Sequence, residues 1–205
     1  MATGAYIKDD TMKELMTGDE LLCSGNGKMS KAIIWYNGLM GVKGPSKQIS
    51  HVAKYIDGMV FEATTLNKWC GKKGYQKNDF NEWLYNYDGS VWVRHLEDIQ
   101  IDDTEYIIEA SKLLGRPYEN GIPGVLELLL TSVAVKTPWL SDFARDHLQT
   151  KEIHCSEANV KLSQMMNYYD LQARPNKLPP YQFWTGGLYE KGILKGRLLD
   201  PIQIK

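Results

Sequence analysis

The sequence has too few cysteines, too widely spaced, for a disulfide framework. Cys23, Cys70 and Cys155 are three thiols in 205 residues, and no CxxC pair occurs. An odd number of separated thiols favours a reducing compartment. The N-terminal segment also lacks the apolar run of a signal peptide. We therefore expect a cytoplasmic protein.

Long hydrophobic runs and an excess of charge are missing as well. The longest apolar stretch, residues 125–135, contains a glutamate, a threonine and a serine and is too short to span a bilayer. The 24 basic and 25 acidic side chains give a net charge of −1, which creates no general attraction for nucleic acid. Neither a transmembrane segment nor a nucleic-acid partner is expected.

Several catalytic signatures are also absent. The sequence contains no GxxxxGK[ST] phosphate loop, no HExxH zinc motif and no GxSxG nucleophile elbow. A zinc site built from Cys155, His154 and His51 would lack the usual ligand spacing. We expect neither a metal nor another cofactor.

Aromatic residues, in contrast, are abundant, with six Trp and twelve Tyr. This content favours bulky core packing, and an aromatic-lined cleft is the alternative. Part of it falls in the polar segment 66–88, which reads as an excursion from the core. The whole chain, 1–205, is predicted to be one domain that carries this excursion and a second, apolar insertion at 120–150.

A β-hairpin is the clearest local signal. Residues 49–65 (ISHVAKYIDGMVFEATT) place two β-prone runs around Asp57-Gly58, a pair typical of a type I′ turn. The predicted cross-strand pairs are Ile56–Met59, Tyr55–Val60 and Lys54–Phe61. This register makes His51 and Glu62 diagonal neighbours on one face. The carboxylate would then fix the tautomer of the imidazole, although a half-exposed His and Glu on a solvent face fit the pattern equally well.

Cys155 falls at the beginning of a predicted helix. In the stretch IHCSEANVKL, Ser156 and Glu157 suit a first helical turn, and apolar residues follow at helical spacing. The free N–H groups and the dipole of a helix N-terminus favour a thiolate, and the same groups can receive an oxyanion. A buried structural cysteine is the alternative.

A nucleophilic cysteine needs a general base, and four histidines are candidates. His154 is adjacent in sequence, and adjacent side chains usually diverge. His147 lies in a polar predicted helix, and His95 ends a predicted strand. His51 is favoured because a carboxylate on its own hairpin can orient it.

Four motifs occur in a characteristic order: TGDELLCSG, SHVAKYIDGMVFEATT, GRPYENG and IHCSEANVKL. Together they resemble the circularly permuted branch of the NlpC-type papain-like cysteine hydrolases, the YiiX-like group related to lecithin retinol acyltransferase. In this branch the histidine strand precedes the cysteine helix, as His51 precedes Cys155 here. The resemblance extends over residues 17–180.

The resemblance implies an α+β, papain-like fold with helices packed on a small antiparallel sheet or partial barrel. It implies that Cys155 is the nucleophile, His51 the base and Glu62 the residue that orients the base. Tyr118, in GRPYENG, matches a tyrosine near the family's site; from its local sequence it is either a turn residue or a phenol donor to a reacting carbonyl. The weaker candidates for substrate contact are Ser156, Trp69 and Tyr75.

The function predicted is a cysteine-dependent hydrolase that cleaves an amide bond, peptide or N-acyl, through a thioester. The expected partner is a small peptide-like or acyl substrate. A lipid acyl hydrolase or acyltransferase on the same site is one alternative, and a non-catalytic module that binds a small ligand is another. A third is a membrane-surface protein with residues 125–135 as an interfacial helix, but that segment lacks Lys and Arg.

Overall fold

An antiparallel sheet is the centre of the structure. The computed structural model describes residues 15–65, 67–98, 101–118, 155–166, 180–185 and 197–205. The strands are β1 (Glu20–Gly25), β2 (His51–Ile56), β3 (Met59–Thr64), β4 (Gly74–Asp79), β5 (Gly89–Arg94), β6 (Leu96–Glu97), β7 (Arg197–Leu198) and β8 (Ile202–Gln203). The helices are α1 (Lys28–Leu39), α2 (Phe80–Asn86), α3 (Asp103–Ser111), α4 (Cys155–Met165) and α5 (Tyr181–Thr185), and a 3-10 turn covers Pro45–Gln48.

Six of the strands form one sheet in the order β4-β3-β2-β1-β5-β8. Every neighbouring pair in it is antiparallel, and β6 pairs separately with β7. Helices and an antiparallel sheet occur together, so the predicted α+β class is confirmed.

Helices cover both faces of this sheet. Leu21 and Cys23 of β1 share a buried cluster with Trp83 of α2. Leu22, which points to the opposite face, shares a cluster with Cys155 of α4. Successive residues of a strand point to opposite faces, so the uninterrupted apolar run of β1 is what burial on both sides requires. The first residue of α4 is thereby held close to β2.

The predicted hairpin is confirmed. Asp57 and Gly58 both have positive φ, 44° and 75°, as a type I′ turn demands. The register pairs Ile56 with Met59, and the next two predicted pairs are also present. The turn therefore fixes which side chains of β2 and β3 share a face.

The ends of two helices test the predictions from capping residues. Helix α3 begins where the acidic segment predicted it, and the Asp102 carboxylate accepts a hydrogen bond from the Glu105 N–H at 2.9 Å. The predicted Ser30 cap of α1 is wrong, because the helix begins at Lys28 after Gly27, which provides no side-chain cap. Gly27 can serve at this position because glycine is tolerated as an N-cap.

The segment 66–88 differs from the predicted excursion. Apart from residue 66, it is described, and it contributes the edge strand β4 and the helix α2 to the core. Tyr75, Phe80 and Trp83 are buried. The strand was hard to recognise because two of its inward residues, Gln76 and Asn78, are polar yet almost fully buried, which removes the usual apolar alternation.

The apolar insertion at 120–150, with its predicted helix 125–135, lies outside the described residues. The single-domain organisation of 1–205 therefore stays a prediction. Among the helices within the described ranges, none is both long enough and apolar enough to cross a membrane.

A buried lysine links three elements of the core. Lys54 of β2 is 1% exposed, and its ammonium donates to the carbonyl of Gly18 at 3.0 Å and to Oε1 of Glu20 at 2.5 Å. Burial lowers the pKa of Lys54, but the charge and hydrogen bond of Glu20, together with the charges of Tyr106 and Asp19, outweigh it, so the pKa is raised overall. The other oxygen of Glu20 accepts a hydrogen bond from Asn159 of α4 at 2.9 Å. The network thus ties α4 to β1 and β2.

Replacing Lys54 with methionine is expected to lower the free energy of unfolding by about 3–5 kcal/mol, because the Glu20 carboxylate is left buried without its cation. Urea unfolding measures the loss. The double variant Lys54→Met, Glu20→Gln removes both charges and should recover part of it. Lys77→Met, at an exposed position of β4, is the matched control and should change stability by less than about 0.5 kcal/mol. A loss for Lys54→Met as small as that of the control would contradict the role of the pair.

Candidate active site

The contact predicted between His51 and Glu62 is present. Nε2 of His51 lies 2.9 Å from Oε2 of Glu62. The Glu62 side chain is 3% exposed and the His51 side chain 13% exposed. Because Nε2 faces the carboxylate, Nδ1 is the ring nitrogen left for another partner. The hairpin turn alone brings this pair together across β2 and β3.

Two further side chains hold the carboxylate of Glu62 in place. Nε2 of Gln76 donates to Oε1 of Glu62 at 3.2 Å, and Nδ2 of Asn67 donates to the same oxygen at 3.3 Å. Both carboxylate oxygens are therefore used, one by the amides and one by the imidazole. A buried carboxylate satisfied in this way has a fixed orientation, which in turn orients the ring of His51.

Cys155 is the first residue of α4, as the sequence predicts, and it is 5% exposed. Burial raises the pKa of its thiol, but the positive charge of His51 and a hydrogen bond to that side chain lower it. Hydrogen bonds from the backbone N–H groups of Val52 and Ser156 act in the same direction. The net result is a pKa below the usual 9.0, as expected for a thiol beside a cationic histidine at a helix N-terminus.

The pKa of His51 responds in the opposite sense. Burial lowers it, whereas the negative charge of Cys155 and its hydrogen bond, followed by those of Glu62, raise the pKa to about 10. Each partner thus stabilises the charged form of the other. The arrangement favours a thiolate–imidazolium pair at neutral pH.

A cavity of about 260 Å³ opens beside this pair. His51 and Glu62 line it together with Tyr118 and Trp69. The fold therefore brings four of the residues predicted from the sequence to one place, and the hydrogen bond of Cys155 to His51 connects the thiol to them. Such a concave site, lined by both polar and apolar side chains, can take a small ligand.

The other two candidates for substrate contact lie elsewhere. Tyr75 is 1% exposed and packs in the core with its ring 6.3 Å from that of Phe61; it does not line the cavity, and it is not brought to the site. Ser156 follows Cys155 in α4 and its side chain is buried. It contributes a hydrogen bond from its backbone N–H to the Cys155 thiolate.

Sequence reasoning missed three residues of the site. Gln76 is the cross-strand partner of Glu62, so the signal for it would have been recognition of β4 as a strand. Asn67 lies in the turn before β4, and no pattern in the sequence marks it. Tyr87 lines the cavity and forms a side-chain hydrogen bond with Cys23, and its sequence context gives no indication of either contact.

The donor atoms of His51 already have a partner within the site. Nε2 of His51 is engaged by Glu62, and within the described residues no group of three His, Cys, Asp or Glu side chains is placed to hold a metal ion. His147 and His154, two of the four candidate bases, lie outside those residues. The third, His95, is 1% exposed and its Nδ1 contacts Asp19 at 2.8 Å, so it is paired with a different carboxylate.

Comparison with known proteins gives a likeness among solved structures. No protein-family model matches the chain. No curated protein matches it either. Among solved structures, the chain is similar to the crystal structure of the metalloprotein YiiX from Escherichia coli O157:H7, DUF1105, with 16% sequence identity and a TM-score of 0.48. The alignment covers 93% of this chain and 96% of that one.

The thiolate–imidazolium pair of Cys155 and His51 exists only within a pH window, and Glu62 should control the upper limit of that window. The thiolate is lost as pH falls through the pKa of Cys155, which lies below 9.0, and the imidazolium is lost as pH rises through the pKa of His51, about 10. Glu62→Gln removes a negative charge that raises the pKa of His51, so the upper limit should move to lower pH. NMR titration of the His51 ring measures this. Glu82→Gln, at an exposed position of α2, is the control; equal titration curves for the two variants would contradict the assignment.

Proposed function

We propose that the protein is a cysteine-dependent hydrolase that cleaves an amide bond, peptide or N-acyl, through a thioester. The observation that carries the proposal is the continuous chain of contacts from Cys155 to His51 and from His51 to Glu62. A nucleophile, a base and a group that orients the base are the parts that acyl transfer needs. The Cys155 pKa, lowered by His51, is the electrostatic support.

In the proposed reaction, the Cys155 thiolate attacks the carbonyl carbon and the carbonyl oxygen becomes an oxyanion. Backbone N–H groups at the beginning of α4 and the phenol of Tyr118 are the donors assigned to that oxyanion. The His51 imidazolium then protonates the leaving nitrogen, the C–N bond breaks, and a thioester remains on Cys155. Neutral His51 takes a proton from water, which attacks the thioester and releases the carboxylic acid and the thiolate.

A protonated His51 is what an amide substrate requires. An amine cannot leave without a proton, and an imidazole with a pKa of about 10 carries that proton at neutral pH. Glu62 maintains this state through its charge and fixes Nε2 by hydrogen bonding. It is therefore a positioning residue in this proposal.

A lipid acyl hydrolase or acyltransferase on the same site is the second candidate. The apolar side chains of Met29, Ile33 and Trp83 line the cavity beside His51, and such a wall suits an acyl chain. An amine or alcohol that replaces water in the last step would convert hydrolysis into transfer.

The proposed family is the permuted NlpC-type papain-like branch. The chain order, with His51 and Glu62 on one hairpin and Cys155 on a later helix, supports this assignment. A single domain over 1–205 and a cytoplasmic location belong to the same proposal. The described cysteines are all free thiols, which supports a reducing compartment.

Alkylation of the three cysteines with iodoacetamide at neutral pH, followed by mass spectrometry, tests the nucleophile. Cys155 should react at least about tenfold faster than Cys70, because its thiolate fraction is larger. Cys70 is the half-exposed reference and Cys23, fully buried with a raised pKa, should be inert. His51→Ala should bring Cys155 down to the rate of Cys70. If Cys155 and Cys70 were alkylated at equal rates, and His51→Ala did not change the rate of Cys155, the hydrolase proposal would be overturned. The non-catalytic module that binds a small ligand would then be favoured.

Hydrolysis of a library of N-acyl amino-acid amides and matched esters tests the reaction itself. Cys155→Ser should reduce kcat/KM by about a thousandfold or more, as loss of a nucleophile does, while Cys70→Ser should leave it unchanged. Turnover of esters without amides would favour the lipid acyl hydrolase.

A further inference from the structure

The segment from α1 through the 3-10 turn has a charge of one sign. Residues 28–48 contain four lysines, Lys28, Lys31, Lys43 and Lys47, and no aspartate, glutamate or arginine. The chain as a whole has a net charge of −1, so this positive region is local. Its charges are complementary to an anionic surface.

The same helix exposes large apolar side chains. Trp35 is 65% exposed, Leu39 63% and Met29 40%. Trp35 and Leu39 are four residues apart and therefore lie on one face of α1. The opposite face is used for packing, because Ile33 and Tyr36 are buried. The apolar face of α1, formed by Trp35 and Leu39, is thus left exposed although the helix has a proper core face; Met29, which is four residues before Ile33, lies toward the core side.

The lysines surround this apolar face. Lys28 is seven residues before Trp35 and eleven before Leu39, so it projects on the same side of the helix. The Lys47 side chain lies against α1, because a Cβ built on Gly38 would stand 2.8 Å from its Cε. Lys31 and Lys43 are exposed. Tryptophan and leucine on one face with lysines around it are the composition of interfacial, membrane-bound helices.

Helix α1 also borders the cavity, with the side that faces the core. Met29, Ser30 and Ile33 of α1 line it together with His51 and Glu62. Elsewhere in the described residues, the large exposed apolar side chains, such as Tyr85 of α2 and Ile108 of α3, lie one to a helix, which is ordinary for a protein surface. The combination of a clustered apolar face, lysines and a neighbouring cavity belongs to α1.

We propose that α1 docks the protein on the surface of an anionic lipid bilayer. Trp35 and Leu39 enter the boundary between headgroups and acyl chains, and the four lysines bind the lipid phosphates. This proposal rests on exposure and charge, and it does not require the hydrolase proposed above.

Co-sedimentation with vesicles tests it. The full chain should bind vesicles of phosphatidylcholine with phosphatidylserine, and it should bind vesicles of phosphatidylcholine alone much more weakly. Each lysine near an anionic surface contributes roughly a fivefold factor in affinity, so Lys28→Glu, Lys31→Glu should weaken binding by roughly 25-fold or more. High salt should weaken binding by the wild type in the same way.

Trp35→Ala and Leu39→Ala test the apolar part, and each should weaken binding by roughly tenfold, since a large side chain no longer enters the interface. The matched control for tryptophan is Tyr85→Ala, an aromatic residue 69% exposed on α2. The control for the lysines is Lys73→Glu, Lys77→Glu, at two exposed positions, one directly before β4 and one within it. Both controls should bind as the wild type does, and circular dichroism checks that every variant is folded.

Three outcomes would overturn the proposal. The first is no binding to the anionic vesicles. The second is a loss of binding in Tyr85→Ala that is as large as the loss in Trp35→Ala. The third is a dimer of the free protein, detected by sedimentation velocity, that Trp35→Ala dissociates. A second copy of the chain would then cover the apolar face. Retained vesicle binding in Cys155→Ser, which abolishes the proposed chemistry, keeps the two proposals separate.

Discussion

The ion pair of Lys54 with Glu20 is the interaction on which the rest of the site depends. Asn159 bonds the same glutamate from one turn beyond Cys155 in α4, so the pair determines where that helix lies on the sheet. The thiol, at the beginning of the helix, then meets His51 at the beginning of β2. A buried charge pair adds little net stability, but it has one geometry that satisfies both partners, and that geometry sets the position of Cys155.

The two buried glutamates have different roles, and their partners determine which. Glu20 is neutralised by a lysine and fixes the scaffold. Glu62 receives hydrogen bonds from two neutral amides and leaves its remaining oxygen to His51. Because the amides carry no charge, the negative charge of Glu62 acts on the imidazole and supports its protonated form. An arginine or lysine in place of Gln76 would satisfy the carboxylate equally well and weaken that electrostatic effect.

Local sequence signals predict the hairpin and the beginning of the cysteine helix, and they fail where the buried side chains are polar. The Asp57-Gly58 turn determines a register, and the register determines that His51 meets Glu62. The strand containing Gln76 was missed because two of its buried side chains are amides, and the partner of Gln76 comes from another strand. The burial of Lys54 could not be predicted for the same reason. A lysine in a strand is ordinarily exposed, and the counter-ion of Lys54 is 34 residues away in the sequence. The periodicity of a sequence indicates which side chains are apolar, but it does not indicate which polar side chains bond each other.

The hairpin also has a consequence for the order in which reactivity arises. His51 and Glu62 are 11 residues apart, so their contact closes a short loop and forms quickly. The thiol joins them only when a helix more than a hundred residues farther along the chain has docked, and long-range contacts of this kind form late. Until then, Cys155 lacks the imidazolium that lowers its pKa and is an ordinary cysteine. During synthesis and folding Cys155 therefore gains the charged partner that lowers its pKa in the same step that buries it.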